Sequence, residues 1–222
     1  MSKPKIVIFE CGCSGGGGFM SEKMIEAIEK NILSAEIVAI VSNYENGGVR
    51  LAADKKGINF IHFPKPWWTG ENYQKIATDT NADFFILAGW FIPILGLDPK
   101  TKFSSKTVID IYPGPITSQG DKCPCGHHIH ESVVKAFKKN EIEETEINMF
   151  FVDEEEKKRL VFAKVKIPIN EKETAKTLRV RVKHYEYLYQ PKIANLVVNG
   201  MISWDGVNHD SLETPPMYSV VQ

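Results

Sequence analysis

Five short and almost wholly apolar runs, at positions 5–9, 37–41, 60–63, 84–87 and 108–111, restrict this chain more than any other feature in it. A strand with one wet face alternates polar and apolar residues. A run that is apolar at nearly every position is buried on both faces, which is the condition of a parallel sheet covered by helices. The segments between the runs have helical spacing. Ser21 is placed to cap a helix with Met24, Ile25, Ile28 and Ile32 on one side. Residues 49–56 read as a short helix stopped by Gly57, and 72–80 carry Tyr73, Ile76 and Ala77 on one face. Alternation of this kind predicts right-handed crossovers and an α/β fold with a doubly wound, mostly parallel, Rossmann-like sheet.

The pattern changes after Pro113. A loop over 114–126 is rich in Gly, Pro and polar residues, and a helix over 131–139 follows. Strands are predicted at 146–152 and 160–167, with the charged stretch 153–159 between them as a solvated turn. A final helix begins over 173–188, Gln190-Pro191 is expected to bend or restart it, and 201–204 is a candidate strand after the Asn199-Gly200 turn. The expectation is one domain over 1–222: a Rossmann-like half at 1–113, a C-terminal half with an antiparallel extension at 114–210, and a tail at 211–222. Twenty-seven basic against 28 acidic residues give a formal charge of −1, so no global basic field calls for nucleic acid. No apolar run approaches the ~20 residues that span a bilayer. Met1 to Pro4 lead directly into the first apolar run, without the pattern of a signal peptide. A cytoplasmic monomer or homodimer acting on small molecules is the expectation.

In an open parallel sheet, ligands bind beyond the carboxyl ends of the strands. Four segments fall there. Cys11-Gly12-Cys13-Ser14 and the four glycines after them join strand one to helix one, and serve either as an anion cradle or as a flexible turn without a ligand. Residues 88–95, with Gly89 beside large apolar groups, read as a slot for a flat heterocycle or as core. Asp110 and Tyr112, two apart at a strand tip, point to one face, which is a catalytic address or an ordinary turn. Gly126-His127-His128-Ile129-His130 precedes a helix, as a functional or simply solvated cluster.

Taken in order, these motifs resemble the glycinamide ribonucleotide formyltransferase family of purine synthesis. The resemblance spans about 5–200 and also includes Val41-Ser42-Asn43, Leu87-Ala88-Gly89-Trp90, Ile111-Tyr112-Pro113-Gly114-Pro115 and Gln190-Pro191-Lys192-Ile193. It implies transfer of a formyl group from 10-formyltetrahydrofolate to the amine of a phosphorylated ribosyl glycinamide. It also implies a phosphate loop at Cys13, Ser14, Gly15, Gly16 and Gly17, and a folate segment with Leu87, Gly89, Trp90, Phe91, Ile92 and Leu95. The catalytic Asn-x-His-Pro pattern of the family reads Asp110-Ile111-Tyr112-Pro113, its Asp is matched by Glu156 in a stretch without glycines, and Ile92 stands where an Arg is usual. One lost oxyanion donor costs about 3–4 kcal/mol. Ionised Asp110 accepts only, and a protonated Asp110 donates. His128 or His130 is then the candidate for the missing proton chemistry. The resemblance equally allows a folate- or phosphosugar-binding homologue without transfer, a sugar-amine formyltransferase, or a formyl-folate hydrolase.

The four cysteines form two Cys-x-Cys pairs, Cys11/Cys13 and Cys123/Cys125. On the implied fold both pairs overhang the same edge, as a metal cluster, a redox dithiol or four independent small residues. Trp67-Trp68 is expected to pack over a sheet edge. Arg179, Arg181 and Lys183 are expected on a solvent-facing helix side.

Overall fold

The computed structural model describes residues 2–12, 16–116, 126–153 and 159–215, together with the backbone but not the side chains of 126–128 in its fourth helix. Seven strands form one sheet in the order β3-β2-β1-β4-β5-β6-β7. They are β1 Lys5–Phe9, β2 Glu36–Ser42, β3 Phe60–His62, β4 Phe84–Leu87, β5 Val108–Tyr112, β6 Glu144–Phe151 and β7 Leu160–Pro168. The first five pair in parallel, and β6 and β7 close the sheet antiparallel. The helices are α1 Phe19–Glu29, α2 Gly48–Lys56, α3 Gly70–Thr80, α4 Gly126–Lys138 and α5 Ala175–Val198. Among the described residues, no helix is long and apolar enough to cross a membrane.

The runs in the central strands β1 and β4 are buried on both sides, while the edge strand β3 is half-buried. In β1, Ile6 and Ile8 face a core made with α1, α2, α4 and α5, while Val7 and Phe9 face a second core under α3. Each such side chain stabilises the fold by about 1.5–3 kcal/mol relative to exposure. The second core is aromatic: Tyr73 of α3 stacks on Phe103 at 5.6 Å, and Phe9 meets Trp90 edge-on at 5.3 Å.

Three local expectations are corrected. Ser21 does not cap α1: Gly18 does, in the left-handed region at φ 88°, and Ser21 lies inside the first turn. The last helix does not break at Pro191 but runs unbroken from a Thr174 capping box through Val198. Gln190 and Pro191 are both buried in it, so tertiary packing holds the turn that loses a hydrogen bond at the proline. Residues 201–204 form no strand; Ser203 makes only an isolated bridge to Glu213.

Candidate functional site

The carboxyl ends of β1, β4 and β5 converge. The Cys11 N–H donates to the carbonyl of Gly89 at 3.4 Å, and the Phe91 N–H donates to Cys11 Sγ at 3.4 Å. On the other side, the Gly12 N–H donates to Asn43 Oδ1 at the end of β2 (2.9 Å). Helix α5 comes over the same edge, where Gln190 Nε2 donates to the Leu87 carbonyl at 2.8 Å.

In the first loop, Gly17 and Gly18 have positive φ (87° and 88°). A Cβ on Gly18 would collide with the Gly48 carbonyl, and one on Gly48 with the Gly17 carbonyl. The two helix starts therefore touch backbone to backbone, and this packing requires these glycines with or without a ligand. The Gly48 N–H also donates to the Gly16 carbonyl (3.1 Å). Of the residues assigned to a phosphate, Gly16 and Gly17 line this contact, while Cys13, Ser14 and Gly15 lie outside the described residues. Sequence reasoning missed Glu10, which is 6% exposed. Its carboxylate accepts from the N–H groups of Gly18 (2.7 Å) and Ser21 (2.9 Å) and from the Ser21 hydroxyl (2.6 Å). Two backbone donors at the start of α1 are thus engaged by the chain itself. Burial outweighs these bonds and raises the Glu10 pKa.

The stretch after β4 separates by side-chain direction. Leu87, Trp90 and Ile92 are buried, and Trp90 Nε1 donates to the Tyr73 hydroxyl at 3.0 Å. They offer a ligand only main chain. Phe91 and Leu95 are exposed, at 65% and 44%. Gly89 has φ 73° and open space where a Cβ would stand. An exposed ring and an unobstructed backbone beyond a strand end suit the edge of a flat heterocycle.

Asp110 and Tyr112 share one face at the tip of β5, opposite Phe150 and Asn148 of β6. Asn148 is fully buried, and its Nδ2 donates to the Gly114 carbonyl (2.8 Å) and to Glu146 Oε1 (2.9 Å), which fixes the turn after Tyr112. A Cβ on Gly114 would strike Ile129, so the turn is also pressed against α4. Asp110 Oδ1 accepts from the Ile111 N–H at 2.7 Å. Burial pushes the Asp110 carboxyl up from 3.8 to about 7; the Ile111 N–H and the Arg159 guanidinium pull against this, and Glu186 of α5 adds to it. Glu186 is itself pushed by burial to about 7. Cys11 is raised to about 11, again by burial first, with Glu10 and Asp110 adding to it. No motif singles out Glu186. Only the passage of α5 over the strand ends brings it here.

Tyr112 lies beneath Arg159, whose guanidinium carbon is 4.7 Å from the Tyr112 ring centre and 5.0 Å from that of Phe150. Arg159 is therefore no part of a solvated turn. His128 falls in α4, and its side chain is outside the description; His130 is buried in the same helix. Glu156, Cys123 and Cys125 lie outside the described residues, and Cys11 is a free thiol. Among the described residues, no group of three or more His, Cys, Asp or Glu is placed to hold a metal. Trp68 packs as expected, donating from Nε1 to the Phe63 carbonyl at 2.9 Å, while Trp67 is 53% exposed. Arg181 pairs with buried Glu173 at 2.6 Å.

The arrangement can hold a carboxyl that is protonated for a large fraction of the time near neutrality. Such a group donates a hydrogen bond to developing negative charge instead of repelling it.

No family model matches the chain. It is 25% identical over 212 residues to the chloroplastic phosphoribosylglycinamide formyltransferase of Vigna unguiculata, covering 92% of this chain and 65% of the length of that relative. The phosphoribosylglycinamide formyltransferase structure from Coxiella burnetii superposes with a TM-score of 0.71 at 22% identity, over 96% of this chain and 100% of that one. A formyltetrahydrofolate deformylase from Pseudomonas syringae pv. tomato superposes with a TM-score of 0.74 at 14% identity, over 96% of this chain and 66% of that one.

Proposed function

The chain is a homologue of the phosphoribosylglycinamide formyltransferases and shares their fold, and on that premise we propose that it is a folate-dependent formyltransferase. The donor is 10-formyltetrahydrofolate and the acceptor is the amine of glycinamide ribonucleotide, as in purine synthesis. The donor fits the segment after β4, with Phe91 and Leu95 against its rings and the main chain of Leu87, Gly89, Trp90 and Ile92 along its edge. Bound there, it supplies an activated formyl carbon.

The observation that carries this reading is Asp110 at the tip of β5, pushed by burial to about 7. The family resemblance calls for a neutral donor at that position, and a protonated carboxyl is one. As the amine attacks, charge gathers on the formyl oxygen, and the Asp110 hydroxyl donates to it. When the bond to the folate nitrogen breaks, that nitrogen takes up the proton lost by the amine. Asn148 holds the turn behind Tyr112, so the strand tip need not reorganise during the reaction.

The test is turnover of the full chain with 10-formyltetrahydrofolate and glycinamide ribonucleotide, scoring the formylated amine and free formate separately. The formylated amine is the expected product. Asp110→Ala should lower kcat by about 10²–10³-fold, while Asp110→Asn, a permanent donor, keeps or raises it. Formate without the formylated amine would replace this reading with folate hydrolysis, which the deformylase superposition favours as the second reading. Donor binding with neither product would overturn both.

A further inference from the structure

Arg159 stands immediately before β7 and reaches back over the tip of β5. Its guanidinium lies 4.7 Å from the Tyr112 ring centre and 5.0 Å from that of Phe150. Phe150 stands directly opposite Asp110 in the β5–β6 ladder, so the cation covers the register positions of the proposed centre. Arg159 Nη1 is buried and has no hydrogen-bond partner among the described residues. Its charge reaches Asp110.

The way this cation is held matters. Two aromatic faces attract it and fix its plane without using its hydrogen-bond donors. A buried N–H left without an acceptor costs about 1–3 kcal/mol, and more when it is charged. A desolvated, charged donor left unsatisfied beside a reaction centre is a ready partner for developing negative charge. Glu10, Asp110 and Glu186 are all acids, and Cys11 and Tyr112 carry no positive charge at any pH. Arg159 is the group in this cluster that is positive throughout the working range.

The geometry points to Arg159 as a further catalytic residue, whose Nη1 donates to the formyl oxygen as negative charge collects there, beside the Asp110 hydroxyl. This rests on the formyltransferase reading of the same crevice. Arg159 stays protonated throughout. The amine nitrogen gains the formyl carbon, the bond from that carbon to the folate nitrogen breaks, and the amine proton leaves with the folate nitrogen.

The experiment uses the full chain with Arg159→Met, which keeps bulk over the rings, and Arg159→Lys, which keeps charge. Arg159→Met should lower kcat by about 10²-fold or more, while donor affinity stays within about threefold and added guanidinium ion restores part of the rate. Arg159→Lys should fall between Arg159→Met and the wild type. A kcat within about threefold of wild type in Arg159→Met, or a loss that guanidinium does not restore in a folded variant, overturns the assignment. If Arg159→Met does not fold, Arg159→Lys decides: a rate equal to wild type rejects any need for the planar fork. A second readout does not depend on turnover. The guanidinium N–H proton signal lost in Arg159→Lys should move when the wild type is titrated with formate. A still signal rejects an anion contact at Arg159. Wild-type protein that makes no product while this signal moves would reject the formyltransferase reading and retain Arg159 as an anion donor.

Discussion

Replacing Asp110 by Asn should stabilise this protein, and more so as pH rises. The carboxyl is held at about 7 in the folded chain against an ordinary 3.8. Between these values the unfolded chain releases its proton and the folded chain keeps it, so folding is opposed increasingly as pH climbs. The stability lost is absent below about pH 4 and fully expressed above about pH 7. At about 1.4 kcal/mol per pH unit, the interval sets a ceiling near 4 kcal/mol. The partly open edge of Asp110 and its coupling to Glu186 reduce this to about 2 kcal/mol, since the two carboxyls titrate as a pair. Glu186, itself raised to about 7, contributes with the same sign and remains in the variant.

Urea unfolding at pH 4, 5.5, 7 and 8 would measure this directly. Wild type should lose stability steadily across the series. Asp110→Asn should match wild type at pH 4 to within about 0.5 kcal/mol and exceed it by about 2 kcal/mol at pH 8. Parallel pH curves for the two proteins would mean that Asp110 is ionised in the fold throughout. The proposed hydrogen-bond donor to the formyl oxygen would then be lost as well.

Gly18→Ala should cost about 3 kcal/mol or more, seen as a lowered urea midpoint, because it adds a left-handed penalty of about 1–2 kcal/mol to a collision with the Gly48 carbonyl. Gly57→Ala, with a similar φ of 64° but open space around it, should cost only the penalty; equal losses at both sites would reject backbone contact between α1 and α2. Cys11, raised to about 11, should react with iodoacetamide at pH 8 about 10²-fold more slowly than a free cysteine, followed by mass mapping. Labelling at the free-thiol rate would show that its burial is not maintained in solution.

The sheet could be read from sequence because its cause is local. Strands β1 and β4 carry their double-sided burial in their own residues, and Gly57 announces the end of α2. At the candidate site only position could be read: Asp110 and Tyr112, two apart, share a face at the tip of β5. Glu10, Glu186 and Arg159 were missed for a different reason. Glu10 is a lone acid after an apolar strand whose partners appear only when the start of α1 folds back over it, and Glu186 and Arg159 are charged residues among others that come to this edge through contacts between elements. Glu186 needs α5 to cross the strand ends. Arg159 needs β7 to return antiparallel beside β6. In the Gly-rich loop, the close approach that Gly17 and Gly18 permit is an approach to Gly48, a contact between elements that the loop's own residues do not announce. Ser21 illustrates the same limit: a good cap by type becomes a donor to Glu10 once Gly18 takes the left-handed position.

Residue type alone gives the wrong sign for this crevice. Glu10, Asp110 and Glu186 would make it an acidic pit, hostile both to the proposed phosphorylated substrate and to the charge that the proposed reaction develops on a formyl oxygen. Burial works against this by raising all three carboxyls, Asp110 and Glu186 to about 7, while the guanidinium of Arg159 keeps its charge beside Asp110. This effect lasts only while the carboxyls hold their protons. Through about pH 7, Asp110 and Glu186 pass from mostly protonated to mostly ionised. The crevice then turns negative, Asp110 changes from donor to acceptor, and Arg159 is drawn toward its neighbour and away from the substrate. Activity should therefore fall on the alkaline side through the titration of this pair. In Asp110→Asn, where the donor has no proton to lose, that fall should move to higher pH; an unchanged alkaline limb would assign it to another group.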